Sequence, residues 1–455
     1  MRFIARYAKE LKDCFEVVTI YDTKILKEQI DKSKPIIKSI SNIYPSAIWF
    51  ERKMQDDFGI IVEDAFDTRA LIQHEHFPTN IHPLRKDFKE KSLQNAKFKE
   101  YKYEVIDGDG VFGVAVGPIH AGIIEPGHFH FSQSGERMLH LEVRHFYKNR
   151  GIEKMLEGKT LQEAKPIVER ISGNESIAYQ ICLRDIMLKS SNSNLPLGLK
   201  SYHAFLLELE RVIHHLTDLG FIPNDAGFGA ALAYCSKLSE DARRVMQTLT
   251  KSRFGFGAID FTTHFTNKEF LKSWIGNLKE DIDYFNSWII DIPSLWDRLD
   301  TTGVLSKANA IKYSTVGVVA RASGVDIDRR DDPFYKDSGF IKALQKSEDV
   351  AARFKLRILE LKNSLVMMEH FLESSSDTLD IKECKDGEYY SFAESSIGEI
   401  FMAIDIKNGV IDRFFVRDPS FINWQALHLM MTKDIIADFP LINKSCDLSY
   451  AGNDL

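Results

Sequence analysis

Ser172 and Glu175 stand three positions apart, the spacing at which two thiolates grip one metal ion, yet here the pair is a hydroxyl and a carboxylate. Glu125, in the run EPGHF, is a second candidate. Beside a partly buried cavity its carboxylate would have the raised pKa that proton transfer uses, and on a solvated turn it would be inert; both readings stay open. His128 and His130 alternate onto one strand face near His120, but nothing supplies a fourth ligand at a workable spacing, so they read as a polar stripe. His215 and Glu210, five apart, share a helix surface only loosely and read as helix packing. The five cysteines, Cys14, Cys182, Cys235, Cys384 and Cys446, form no CxxC pair, which argues for a reducing compartment and against a zinc or iron-sulfur site built from this chain.

The elements that must position these groups follow from composition and period. With 455 residues, 44% hydrophobic and 27% charged, the chain has the content of a globular protein of two or three domains. A net charge of −7 speaks against nucleic acid, because a phosphate-binding surface needs a basic footprint. The most apolar runs, such as GVFGVAVGPIHAGII, fall short of a membrane span, and Arg6, Lys9 and Lys12 interrupt the place where an export signal needs its apolar stretch. Residues 1–95 read as a small α/β domain ending in NIHPLRKDF, which has the look of a linker. Residues 96–455 read as a second unit. Antiparallel strands are expected near 101–147, a helical bundle over 151–375, and strands again over 380–416 around an Asn408-Gly409 hairpin. In YHAFLLELERVIHHLTDLG, Leu206, Leu209, Ile213 and Leu216 line one helix face, with Gly220 as its expected C-terminal cap. The fold class is α+β: a helical-bundle core with flanking antiparallel strands and a small N-terminal α/β domain.

Five blocks in order, GPIHAGIIEPGHFHF, NRGIEKMLEGKT, ELERVIHHLTDLGFIPNDAGF, VGVVARASGVDIDRRDDPF and RDPSFINWQALHLMMTKDIIADFPLINKS, resemble the large subunit of energy-converting [NiFe]-hydrogenases of the formate-hydrogenlyase type and its relative, the large subunit of respiratory complex I. The N-terminal ERKMQDDFGI followed by HPLRKDF is similar to the complex I accessory subunit, here fused. In the hydrogenases two CxxC pairs hold a nickel-iron centre. The first matches RISGNE, Arg170 to Glu175, and the second falls in DLSYAGNDL, so the resemblance implies four vacated ligand positions at Ser172, Glu175, Ser449 and Gly452. A nickel-iron centre demands soft thiolates, so it is expected to be absent. The chain also ends three residues after Gly452, where nickel-loaded members carry an extension that maturation removes.

The resemblance to complex I has gaps of its own. Gly173 stands where that subunit has a Tyr, and AGIIEP is inserted where a second quinone-side His would follow His120. His130 and Ile397 stand where the family has Arg. Arg321 matches a family Arg at the cavity wall, or else it is a buried Arg paired with an acid such as Asp326. What the resemblance implies is a peripheral subunit on the cytoplasmic side of the cell membrane, part of an ion-translocating oxidoreductase complex related to NADH-quinone oxidoreductase. It would bind no cofactor directly. It would couple electron transfer from an iron-sulfur cluster in a small partner subunit to proton movement through antiporter-like and quinone-channel-like membrane subunits. Glu125, Arg170, Glu175 and Arg321 would line its cavity, Glu175 would pair with Arg170, and His120 would contact a quinone if one enters. The alternatives are a quinone reductase subunit with an altered pocket and an inert assembly scaffold whose cavity is refilled by bulky side chains such as Tyr179.

Overall fold

The computed structural model of the chain describes every residue except 79, 90–96, 121–123 and 264. Among the described residues, alternating β-branched and aromatic positions form β1 (Phe3–Glu10), β2 (Cys14–Tyr21) and β3 (Ile25–Asp31), an antiparallel sheet in that order. A helix, Ala47–Phe58, connects the short parallel pair β4 (Ile36–Lys38) and β5 (Ile61–Glu63). β6 (Val111–Val116), β7 (His128–Ser134) and β8 (Arg137–Arg144) form a second antiparallel sheet. β9 (Gly387–Glu394), β10 (Glu399–Lys407) and β11 (Val410–Arg417) form a third, with β10 central and Asn408 and Gly409 both at positive φ in the turn. The α+β class read from the alternation is the class the structure has.

Most of the helical core comes between the second and third sheets in the chain, and one of its helices follows the third. Its axis is the long helix Leu197–Asp225, packed against Gly229–Thr250, Val350–Leu372 and Phe439–Cys446. Local chemistry starts these helices. Asp349 accepts from the Ala352 N–H, and Thr160 and Glu163 form a reciprocal capping box. Gly220 does not end its helix as expected. It sits inside, where the backbone of Gly229–Thr250 comes so close that a Cβ would lie 3.1 Å from Leu232 Cα. Packing overrides its use as a cap. Among the described residues no helix is long and apolar enough to cross a membrane.

The expected boundary at 95/96 lies outside the described residues. The N-terminal sheet shares one hydrophobic core with the C-terminal part of the chain: Tyr7 stacks on Phe415 with ring centroids 4.3 Å apart, and Phe50 meets Phe421 at 4.6 Å. Arg6 and Lys9, the charges that interrupt the N-terminal apolar stretch, are buried in β1. Arg6 pairs with Glu51 at 2.7 Å and Lys9 with Asp405 at 2.9 Å, because both faces of β1 are covered and a buried cation needs a partner.

Candidate functional site

The two segments carrying the vacated positions come together although 277 residues separate Ser172 from Ser449. Ser172 and Ser449 face each other with their hydroxyl oxygens 3.1 Å apart. Ser449 caps the helix Tyr450–Asp454, its Oγ accepting from the Gly452 N–H at 2.9 Å. The Arg150 guanidinium donates to Arg170 O, Ile171 O and Ala451 O at 2.7–2.9 Å and so ties the two segments.

Glu175 precedes the helix Ser176–Ser190 and is wholly buried. Its Oε1 accepts from the Ser395 hydroxyl at 2.5 Å, while no donor reaches Oε2. The neighbour it meets is another carboxylate, Asp418, which is 1% exposed. Asp418 Oδ1 accepts from the Ser420 N–H at 2.7 Å and Oδ2 from the Tyr179 hydroxyl at 2.5 Å. Asp418 also fills the space beside Gly452, where an added Cβ would fall 2.0 Å from Oδ2. A third acid closes the group. Glu210, on the helix Leu197–Asp225, accepts from the Ile177 and Ala178 N–H groups at 2.7 and 3.3 Å, at the positive end of the neighbouring helix. Burial pushes its carboxyl up to about 8 all the same. Burial and the facing Asp418 raise Glu175 well above the carboxylate range.

The other expected site residues lie apart from this group or at its rim. Glu125 is a rim residue: Oε2 accepts from the Ala451 N–H at 2.8 Å and the carboxylate pairs with Lys148. Arg170 does not pair with Glu175. Its side chain is half exposed, pairs with Glu169 and lies over the Phe256 ring at 4.3 Å, because the backbone turn at 170–172 sends it outward while Glu175 turns in. Nor does Arg321 line a shared cavity with them. It is fully buried and clamped by Glu360 at 2.7 Å, Glu394 at 2.6 Å and Asp328 at 3.3 Å. Asp326 instead pairs with Lys342. His120 places Nε2 2.7 Å from Gly127 O, and part of the insertion after His120 falls outside the described residues. His128 Nδ1 lies 3.2 Å from Gly117 O and the His130 ring stacks on Tyr103. Cys182 and Cys446 are buried, and Cys446 Sγ lies 3.6 Å from Met430 Sδ. A cavity of about 310 Å³ opens elsewhere, between the N-terminal part and β8, lined by Trp49, Arg52, Arg69, His140, Tyr313 and Trp424.

Sequence reasoning missed Asp418 and the role of Glu210. The signal for Asp418 was present in RDPSF, an Asp before Pro, the pattern of a residue capping a short helix with its carboxylate turned inward. For Glu210 no local signal exists, since its partners are backbone N–H groups of another helix. Chemically, the site is a closed cluster of hard oxygen donors with three carboxyl groups and, among the described residues, no ion pair to any of them.

Known proteins match the chain in the same order. Residues 242–385 match the family model of the respiratory-chain NADH dehydrogenase 49 Kd subunit, and residues 4–94 that of the 30 Kd subunit. Formate hydrogenlyase subunit 5 of Escherichia coli (strain K12) is 26% identical, covering 94% of this chain and 79% of its own length. Hydrogenase-4 component G of the same organism is 26% identical over 94% of this chain and 78% of its own. An NADH-quinone oxidoreductase subunit of Chloroherpeton thalassium is 27% identical over 69% of this chain and 80% of its own. The chain belongs to the large-subunit type shared by complex I and the group 4 hydrogenases, with a 30 Kd-type segment fused at its N-terminal side.

Proposed function

We propose that this protein is the large subunit of a membrane-bound, complex I-like oxidoreductase that works without a nickel-iron centre. It sits peripherally on the cytoplasmic side and couples electron transfer from an iron-sulfur cluster in a small partner subunit to proton movement through antiporter-like and quinone-channel-like membrane subunits. The observation that carries the reading is the meeting of Ser172, Glu175 and Ser449 around a space that Asp418 fills beside Gly452. Nickel and iron in these enzymes need thiolates that bridge two metals, and hydroxyls, carboxylates and a glycine do not supply them. What these side chains can do is hold and exchange protons, with Glu175 inside and Glu125 at the rim.

One observation favours a second reading, the inert scaffold. Tyr179 and Asp418 occupy the site, and Arg321 is spent on structural ion pairs. The quinone reading leans on His120, whose Nε2 is engaged by Gly127 O. Turnover per assembled complex separates the first two. Glu175→Gln and Glu125→Gln should lower it if the site handles protons; unchanged specific activity in both variants, with assembly intact, leaves the scaffold.

A further inference from the structure

We propose that Glu175 and Asp418 hold one proton between them, Glu175 as the acid donating through Oε2 and Asp418 as the carboxylate. The inference deepens the proton-handling reading above and identifies Asp418 as the partner that reading requires, but the hydrogen-bond geometry behind it stands without any turnover.

The two carboxyl groups are unequally supplied with donors. Asp418 receives a hydrogen bond on each oxygen, from Ser420 N–H and Tyr179 O–H, which is the environment of an ionised carboxylate. Glu175 receives one, from Ser395, and its second oxygen is buried with no donor. Two facing carboxylates leave that oxygen unsatisfied and repel each other in surroundings that exclude water; one proton on Glu175 Oε2 turns the contact into a hydrogen bond to Asp418. Among the described residues no cation forms an ion pair with either carboxyl: Arg150 donates to the Ile171 and Ala451 carbonyls, and Arg417, next to Asp418, pairs with Glu399. Tyr179 from the helix Ser176–Ser190 and Glu210 from Leu197–Asp225 are neutral or acidic, and the nearest guanidinium on that helix, Arg211, is directed at the Glu394 and Ser395 carbonyls. The pair depends on two residues acting together. Gly452 leaves the room that Asp418 enters, and Glu175 brings the acid that Asp418 needs.

Infrared spectroscopy of the full chain, alone or within its complex, tests this directly. At neutral pH the wild type should show a protonated carboxylic acid C=O band that moves on transfer to D2O and that survives Glu210→Gln, which removes the acid that burial raises to about 8. Glu175→Gln should abolish that band, and Glu125→Gln should not. Asp418→Asn should move it to higher frequency, because the amide is a weaker acceptor than a carboxylate. Absence of the band from the wild type, its survival in Glu175→Gln, or an unmoved band in Asp418→Asn would each overturn the proposal. Unchanged turnover per assembled complex in both Glu175→Gln and Glu125→Gln would overturn the proton-handling function while leaving the shared proton intact.

Discussion

Glu394 and Ser395 are neighbours at the end of β9, yet they face two buried acid clusters of opposite chemistry. On one side Arg321, Arg330 and Arg211 interleave with Glu360, Asp328, Glu394 and Glu208 at 2.6–3.3 Å. Although burial works against it, the guanidinium of Arg321 holds Glu360 well below the carboxylate range, and Arg330 and Arg321 hold Asp328 at about 2. Glu394 is the exception, raised by burial and the facing Asp328. On the other side Glu175, Asp418 and Glu210 form no ion pair among the described residues, and burial raises Glu175 and Glu210. Equal burial therefore keeps ions where arginines are supplied and favours the protonated form of Glu175 and Glu210 where they are not. This difference separates a structural clamp from a group able to give up a proton.

The largest effect should come from breaking the clamp. Arg321→Met leaves three acids short of their partner and should cost about 3–5 kcal/mol in urea denaturation; a cost near zero would mean that the cluster does not carry charge. Next is crowding the other cluster. Gly452→Ala drives a methyl group into Asp418 and should cost about 1–3 kcal/mol, and Asp418→Ala in the same chain should recover part of it.

A smaller effect sharpens the comparison through pH. The folded-state pKa of Glu210 is raised from 4.5 to about 8, so the folded protein keeps a proton that the unfolded chain sheds. Its contribution to stability is complete below about pH 4.5 and falls as pH rises toward 8, by up to about 1.4 kcal/mol per pH unit. Glu210→Gln should remove that share of the slope, whereas Asp328, held near 2, loses its contribution only as pH falls below about 4. Opposite slopes from two adjacent clusters are the signature to look for in denaturation midpoints across pH.

The smallest effect is Glu175→Gln, expected to change stability by less than about 1 kcal/mol, because the amide N–H can donate to Asp418 as the acid does. The pairing expected from sequence, with Arg170, would instead make this substitution cost about 3–5 kcal/mol. That contrast shows where sequence reading ends. The RISGNE and DLSYAGNDL blocks located the two segments that meet, and apolar periodicity located the helices and two of the three antiparallel sheets; the N-terminal sheet was read only as part of a small α/β domain. Arg170 was misplaced because a spacing of five around a turn does not say which way a long side chain leaves the backbone. Gly220 was misread because the helix it lies in is extended by packing against Leu232, a partner no local signal reveals. Asp418 was missed because its partners, Tyr179, Ser420 and Gly452, come from three separate segments.

Elemental analysis of the complex purified from native membranes puts the central claim to the test most directly. A cluster of oxygen donors closed by Asp418 predicts no stoichiometric nickel in preparations that retain the proposed iron-sulfur partner, and about one nickel per chain would contradict it.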